Sequence, residues 1–121
     1  MARVTYARGE NDERPWGRWE VLDTGDAFVV KRITVVPDGV LSLQRHQHRS
    51  EHWVIVTGRA RVTLDERTLD LEPGAHVHIP QGSWHRIANP GGEPMEFVEV
   101  QQGDELDEND IERRDDVYGR S

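Results

Sequence analysis

The chain has no cysteine, which excludes disulfides and thiolate metal sites together, so any metal has to be held by imidazole, carboxylate or amide oxygen. Long apolar runs are missing too. No stretch approaches the length of a membrane span, and the start, Met1-Ala2-Arg3-Val4-Thr5-Tyr6, has no apolar segment of signal-peptide length, so a cytoplasmic location without a membrane partner is expected. Nor is there an excess of positive charge: 15 Lys and Arg stand against 23 Asp and Glu, a formal net charge of −8, which argues against non-specific nucleic-acid binding. Finally, no segment before Gly103 carries a helical period over three turns.

What is present is a succession of turn signals at short intervals: Asp23-Thr24-Gly25-Asp26, Pro37-Asp38-Gly39, Thr57-Gly58, Asp65-Glu66, Glu72-Pro73-Gly74, Pro80-Gln81-Gly82 and Asn89-Pro90-Gly91-Gly92. Such spacing leaves room only for strands. The intervening runs, Phe28 to Val35, Leu41 to His46, His52 to Thr57, Ala60 to Leu64, His76 to Ile79 and Met95 to Val100, are short and β-branched or alternating. They predict an all-β sandwich or barrel of roughly eight to ten strands. At 121 residues the chain suits one domain, residues 1–121, with an N-terminal arm over 1–13 and an acidic tail over 103–121. The tail reads equally as a solvated arm or as a short helix packed on the barrel.

All six histidines, His46, His48, His52, His76, His78 and His85, fall within one stretch of the chain. A single strand histidine is usually a surface or hydrogen-bonded residue, which is the reading for His52, His76 and His78 taken singly. His46, Glu51 and His85 together differ, because two imidazoles and a carboxylate from neighbouring strands suit a divalent Zn, Mn, Fe, Co or Ni ion and leave positions open. Strand alternation after Gly39 puts Ser42, Gln44, His46 and His48 on one face.

These residues resemble the cupin superfamily. Gly74, Pro80, Gly82, His85 and Asn89 fit its second motif, G-x5-P-x-G-x2-H-x3-N, at every position. Glu51 and Gly58 fit the closing half of its first motif, G-x5-H-x-H-x3/4-E-x6-G, with His46 in the place of the second histidine. Gln44 stands where the first belongs, and Gly39 lies one residue too near. The resemblance implies a cupin-type double-stranded β-helix, or jelly-roll barrel, with one divalent metal ion on Gln44, His46, Glu51 and His85. A competing set pairs His46 with His48 and takes Glu51 or His52 as the third ligand.

A Gln-His-Glu-His set is similar to that of mannose-6-phosphate isomerases. More closely, the chain resembles the isomerase portion of the bifunctional mannose-1-phosphate guanylyltransferase/mannose-6-phosphate isomerase family, in Arg14-Pro15-Trp16-Gly17, Val30-Lys31-Arg32-Ile33, Leu41-Ser42-Leu43-Gln44, Glu51-His52-Trp53, Ile79-Pro80, His85-Arg86 and the tail from Asp110-Ile111 through Tyr118-Gly119-Arg120. The nucleotidyltransferase half with its Gly-rich loop is absent from this sequence. The resemblance implies conversion of mannose 6-phosphate to fructose 6-phosphate, with a small sugar phosphate as partner. On that reading Arg49 is the first candidate for the phosphate, with Lys31, Arg32 and Arg86 as alternatives, and Ser42 belongs to the substrate side. His48 is the candidate base, having a suitable intrinsic pKa. Trp53 and Trp84 read either as sugar-stacking platforms or as buried barrel residues. Two other functions stay open: a metal-binding cupin that binds a small sugar without turnover, and a metal-dependent oxygenase, which Gln44 in place of a histidine disfavours.

Assembly follows from strands that are apolar on both faces. Counting from Glu51 places Trp53 and Ile55 inside and Val54 and Val56 outside, and counting from Gln44 places Leu41 and Leu43 outside. Either the N-terminal segment through Trp16 and Trp19 or a second subunit has to cover them, and a homodimer is expected.

Overall fold

The computed structural model of the chain describes residues 3–114. It is built from strands throughout: β1 (Arg3–Val4), β2 (Asn11–Arg14), β3 (Gly17–Thr24), β4 (Phe28–Val35), β5 (Leu43–Arg45), β6 (Arg49–Thr57), β7 (Ala60–Leu64), β8 (Arg67–Leu71), β9 (His76–Ile79), β10 (His85–Ala88), β11 (Met95–Gly103), β12 (Glu105–Leu106) and β13 (Glu112–Arg114). One sheet runs β2-β3-β4-β11-β6-β9, a second runs β13-β5-β10-β7-β8, and β1 pairs with β12 in parallel. Two facing antiparallel sheets joined by non-consecutive neighbours make a jelly roll, the all-β fold that the turn spacing predicts.

Period-two alternation decides what each strand turns inward. Along β4, Val29, Lys31, Ile33 and Val35 are buried; along β11, Met95, Phe97, Glu99 and Gln101; along β6, Arg49, Glu51, Trp53 and Ile55. The register stacks these into rows across the sheet, Ile33–Phe97–Ile55, then Lys31–Glu99–Trp53, then Val29–Gln101–Glu51. One end of the interior is therefore apolar and holds the core, and the other is lined with charge. Gly103 closes the polar end because a Cβ there would lie 2.0 Å from His48 O, a close approach that only glycine permits.

Several boundaries differ from the sequence reading. The strand expected from Leu41 to His46 stops at Arg45, and the one expected to begin at His52 begins at Arg49. Gly17–Thr24 and Arg67–Leu71 add strands that the runs do not mark, while His85, expected at the start of a strand after Pro80-Gln81-Gly82, begins β10. The tail is neither a loose arm nor a helix over its described part. It forms β12 on β1 and β13 on β5, with Arg45 paired to Glu112 at 2.8 Å; the stretch 115–121, with Tyr118-Gly119-Arg120, lies outside the described residues. The N-terminal arm likewise carries β1 and β2.

Trp16 and Trp19 enter the core and do not cover the outer face of β6, where Val54 and Val56 are each 44% exposed. Leu41, expected outside, packs against the core instead. Among the described residues no helix is long and apolar enough to cross a membrane.

Candidate metal centre

The polar end opens into a cavity lined by Lys31, Gln44, His46, Arg49, Glu51, His85 and Glu99, among others. The enclosed space is about 70 Å³, and about 610 Å³ when its solvent-open mouth is included. Three strands and the bend after β5 deliver the donors. Gln44 stands in β5 opposite His85 of β10, His46 follows β5, and Glu51 reaches across from β6 in the other sheet. His85 is aimed by the second motif: its turn places Gly82 at φ 83°, and Gly82 N donates to His46 O at 2.9 Å, tying the two histidine-bearing segments together. Asn89, the last motif residue, donates to Val35 O and Glu93 O and accepts from Gly91 N; its role here is to hold the turn.

The hydrogen bonds assign the imidazole tautomers. His46 Nδ1 lies 2.7 Å from Asp110 O and His85 Nδ1 lies 3.0 Å from Ser83 O. A carbonyl only accepts, so both Nδ1 atoms carry the proton and both Nε2 atoms keep a lone pair. Burial first, and the Arg49 charge second, bring His46 down to about 4, and burial also lowers His85. Both are neutral near pH 7, the state a metal requires. His46 Nε2 then faces Glu51 Oε2 at 3.3 Å. Two electron-pair donors at that distance do not form an ion pair; they need a cation between or beside them.

The ligand atoms of His46, Glu51 and His85 all lie within 4.8 Å of one another, and all three residues are buried. Gln44 Nε2 donates to Ser42 Oγ at 3.0 Å, which leaves its carbonyl oxygen as the available donor atom. Trp53 Nε1 donates to Glu51 Oε1 at 2.8 Å and to Glu99 Oε1 at 3.1 Å, so this tryptophan holds the carboxylate and is buried. The donor set fits one divalent ion.

One residue competes for the same place. Arg49 Nε donates to Glu51 Oε2 at 2.9 Å and Nη2 to His46 Nε2 at 3.2 Å. Burial alone would raise Glu51, yet the Arg49 guanidinium and then His46 hold its carboxyl well below the usual range. Arg49 is thus a buried counter-charge to Glu51 and also reaches His46. Its guanidinium has to move if an ion takes those two atoms.

His48 does not face the cavity. The strand ends at Arg45, alternation is lost, and the His48 side chain is 45% exposed with Nε2 3.2 Å from Glu105. His52 and His78 stack on the outer face with ring centroids 4.5 Å apart, and His76 is exposed as well. The set of His46 with His48 or His52 is therefore not brought together. Of the alternative cations, Arg32 faces outward and pairs with Glu20 at 3.4 Å, while Arg86 lines the cavity and donates to Leu41 O at 3.1 Å. Trp84 lies against the guanidinium groups of Arg45 and Arg114 at 4.7 and 4.2 Å, away from the donors.

Lys31, an alternative phosphate cation in the sequence reading, and Glu99, which that reading does not include, both line the cavity. Lys31 Nζ sits 4.1 Å from the Tyr6 ring centroid and 4.3 Å from that of Trp19, and burial lowers its pKa. Burial, then the Glu51 charge, push Glu99 up to about 8. The signal for both was alternation, since counting by two from Val29 and from Phe97 turns Lys31 and Glu99 inward.

Fold and site together define a cupin with a Gln-His-Glu-His donor set. Residues 3–116 match the family described as Mannose-6-phosphate isomerase C-terminal, and the chain belongs to that family. It is 53% identical over 108 residues to the alginate biosynthesis protein AlgA of Pseudomonas aeruginosa, covering 89% of this chain and 22% of that protein. It is 47% identical over 107 residues to a mannose-1-phosphate guanylyltransferase of Escherichia coli, covering 88% of this chain and 22% of that protein. The chain thus spans about a fifth of the length of these relatives. Among solved structures, the cupin domain of Schizosaccharomyces pombe Cnp3 aligns with a TM-score of 0.69 at 17% identity, over 72% of this chain and 64% of that one, a likeness of fold.

Proposed function

We propose that the chain is a metal-dependent sugar-phosphate isomerase that interconverts mannose 6-phosphate and fructose 6-phosphate, with one divalent ion on Gln44, His46, Glu51 and His85. The observation that carries this reading is the convergence of two inward Nε2 lone pairs and the Glu51 carboxylate on one buried point. When bound, a divalent ion supplies Lewis acidity for the carbonyl and hydroxyl oxygens of the sugar. The chain's own groups do the rest. Arg86 and Arg113 line the cavity and give the phosphate a cationic wall, for which guanidinium is suited. With His48 outside, the group that moves a proton between C1 and C2 is drawn from the cavity itself, where Lys31 and Glu99 lie side by side in the register.

A second reading has an observation of its own. Pockets that enclose small molecules run about 300–1,000 Å³, and the enclosed space here is about 70 Å³, so the sugar has to sit in the open mouth unless side chains such as Arg49 withdraw. A non-catalytic cupin that holds a metal and binds a sugar at its mouth fits that geometry equally. Incubating the purified chain with mannose 6-phosphate and Zn, Mn, Co, Ni or Fe separates the two. Formation of fructose 6-phosphate supports the isomerase, and saturable sugar-phosphate binding without product under every metal replaces it with the binding module.

A further inference from the structure

The acidic C-terminal segment returns to the donor set from more than sixty residues away and touches one ligand candidate directly. Asp110 makes three bonds there. Its backbone oxygen accepts from His46 Nδ1 at 2.7 Å, its Oδ1 accepts from Gln47 N at 3.0 Å, and its Oδ2 accepts from His48 N at 2.9 Å. One carboxylate thus takes both amide protons of the bend that carries His46 out of β5, and the same residue's carbonyl orients the imidazole. The bend is held on its far side by Gly82 N on His46 O and by Gln81 Nε2 on Gln47 O. Asp110 is itself placed by a turn, Asp110 N on Asp107 O at 3.1 Å, and by β13 pairing with β5.

We propose that Asp110 is a positioning residue that couples docking of the C-terminal segment to metal capture, by holding His46 in the Nδ1–H tautomer with Nε2 turned into the cavity. A neutral imidazole can place its proton on either nitrogen, and only an unprotonated Nε2 can bind an ion from this direction. The carbonyl of Asp110 selects the useful tautomer, and its carboxylate fixes where that carbonyl stands. Coupling of this kind is reciprocal: if the docked segment strengthens metal binding, metal strengthens docking. The lining of the cavity agrees, since Glu108, Ile111 and Arg113 of the same segment form part of its wall. The inference rests on the metal reading above, but its first consequence is visible without metal.

The test uses the full chain and zinc alone, with Asp110→Ala and Asp110→Asn. In the metal-free protein, long-range proton–nitrogen correlation spectra should show His46 and His85 both as Nδ1–H. Because Arg49 Nη2 also donates to His46 Nε2 at 3.2 Å and so favours the same tautomer, Asp110→Ala is compared in an Arg49→Met background, where it should move His46 to a mixture of tautomers and leave His85 unchanged, because Ser83 O still holds it. Zinc affinity, measured by competition with a chromophoric chelator, should fall about 10–100-fold in Asp110→Ala, the usual effect of losing a partner that orients a ligand, with Asp110→Asn intermediate since it keeps one acceptor. Zinc should also slow amide exchange over residues 105–114 in the parent chain and less so in Asp110→Ala. Unchanged His46 tautomer and unchanged zinc affinity in a folded Asp110→Ala overturn the proposal, as does a variant in which His85 shifts together with His46. A parent chain that binds no zinc removes the metal reading and the coupling with it, and the tautomer measurement then shows separately whether Asp110 holds the imidazole.

Discussion

Replacing Arg49 by methionine separates the two roles this residue could have. Its guanidinium touches Glu51 Oε2 and His46 Nε2 at 2.9 and 3.2 Å, and an ion bound to those atoms at about 2.0–2.2 Å would meet it within a few ångströms. A +2 and a +1 charge about 5 Å apart repel by about 7 kcal/mol at an effective dielectric near 20. The side chain avoids much of that by swinging towards the mouth, but it then gives up a charge-assisted hydrogen bond of about 1.5–3 kcal/mol. That cost of leaving sets a lower bound, which corresponds to about 10–100-fold in affinity. Arg49→Met should therefore bind zinc at least about tenfold more tightly, even though it removes a residue from the site. A counter-effect sets the conditions. Without Arg49, Glu51 keeps a proton more readily beside Glu99, whose own carboxyl is raised to about 8, so the gain should be full near pH 9 and shrink towards pH 6. The metal-free variant should also be less stable by about 3–5 kcal/mol, because the Glu51 charge is left buried and unpaired. Chelator-competition titrations at both pH values, with circular dichroism to confirm folding, provide the assay. If Arg49 served the phosphate alone, zinc affinity would not change; equal or weaker binding at pH 9 refutes the reasoning.

His46→Ala, Glu51→Ala and His85→Ala should each abolish stoichiometric metal binding, and Gln44→Ala should weaken it less, since an amide oxygen is a neutral donor; full metal by elemental analysis in the His85 variant would remove the site. Glu99 is raised from 4.5 to about 8, so the folded chain holds a proton there that the unfolded chain releases near its ordinary value. That contribution is fully present below about pH 4.5 and is lost as pH rises to about 8. Glu99→Gln, which cannot ionise, should accordingly gain roughly 2–5 kcal/mol on the parent between pH 5 and 8.5, and a constant difference in Tm of the metal-free proteins contradicts this. Val54 and Val56, each 44% exposed on β6, and Phe28, 37% exposed on β4, are the apolar surface behind the proposed homodimer. Analytical ultracentrifugation at micromolar concentration should show about twice the 13.9 kDa chain mass, reverting to one in Val54→Asp/Val56→Asp; a parent monomer ends the proposal.

The legible part of this protein was the part written locally. Turn residues and period-two runs mark six of the thirteen described strands, and the spacing from Gly74 to Asn89 marks His85 and its turn without reference to any other segment. Alternation counted from Gln44 still places His46 but fails for His48, which lies three residues beyond the end of β5. Beyond β5 the amides of Gln47 and His48 go to Asp110, sixty-two positions along the chain from His48, and nothing near His48 announces it. The tail was misread for a related reason. A cluster of acids suggests solvation, but Glu105 and Asp107 pair with Arg3, and Glu112 pairs with Arg45, which ties these three acids to β1 and β5. By contrast Lys31 and Glu99 were within reach, because the same alternation that places Val29, Ile33 and Phe97 in the core turns them inward. Composition points the other way, because charged side chains are mostly found outside.

That inward charge is also the strongest reason to regard this end of the barrel as a working site. Lys31, Arg49, Glu51 and Glu99 are all at most 8% exposed. Removing ions from water costs several kcal/mol each, and attraction between partners often does no better than well-packed apolar side chains of the same volume. The neighbouring row shows that such packing was available, since Ile33, Phe97 and Ile55 fill the same sheet one step away. A fold selected for stability alone would continue that row. It stops where His46, Glu51 and His85 converge, and the groups that replace it have their pKa values moved in opposite directions, Glu99 upward and Lys31 downward. Opposed shifts in one enclosed space are common at sites that move protons, and structural ion-pair networks such as Arg49 with Glu51 produce shifts too. An acid and an amine both brought towards neutrality beside a metal donor set give the isomerase reading a physical basis beyond family membership.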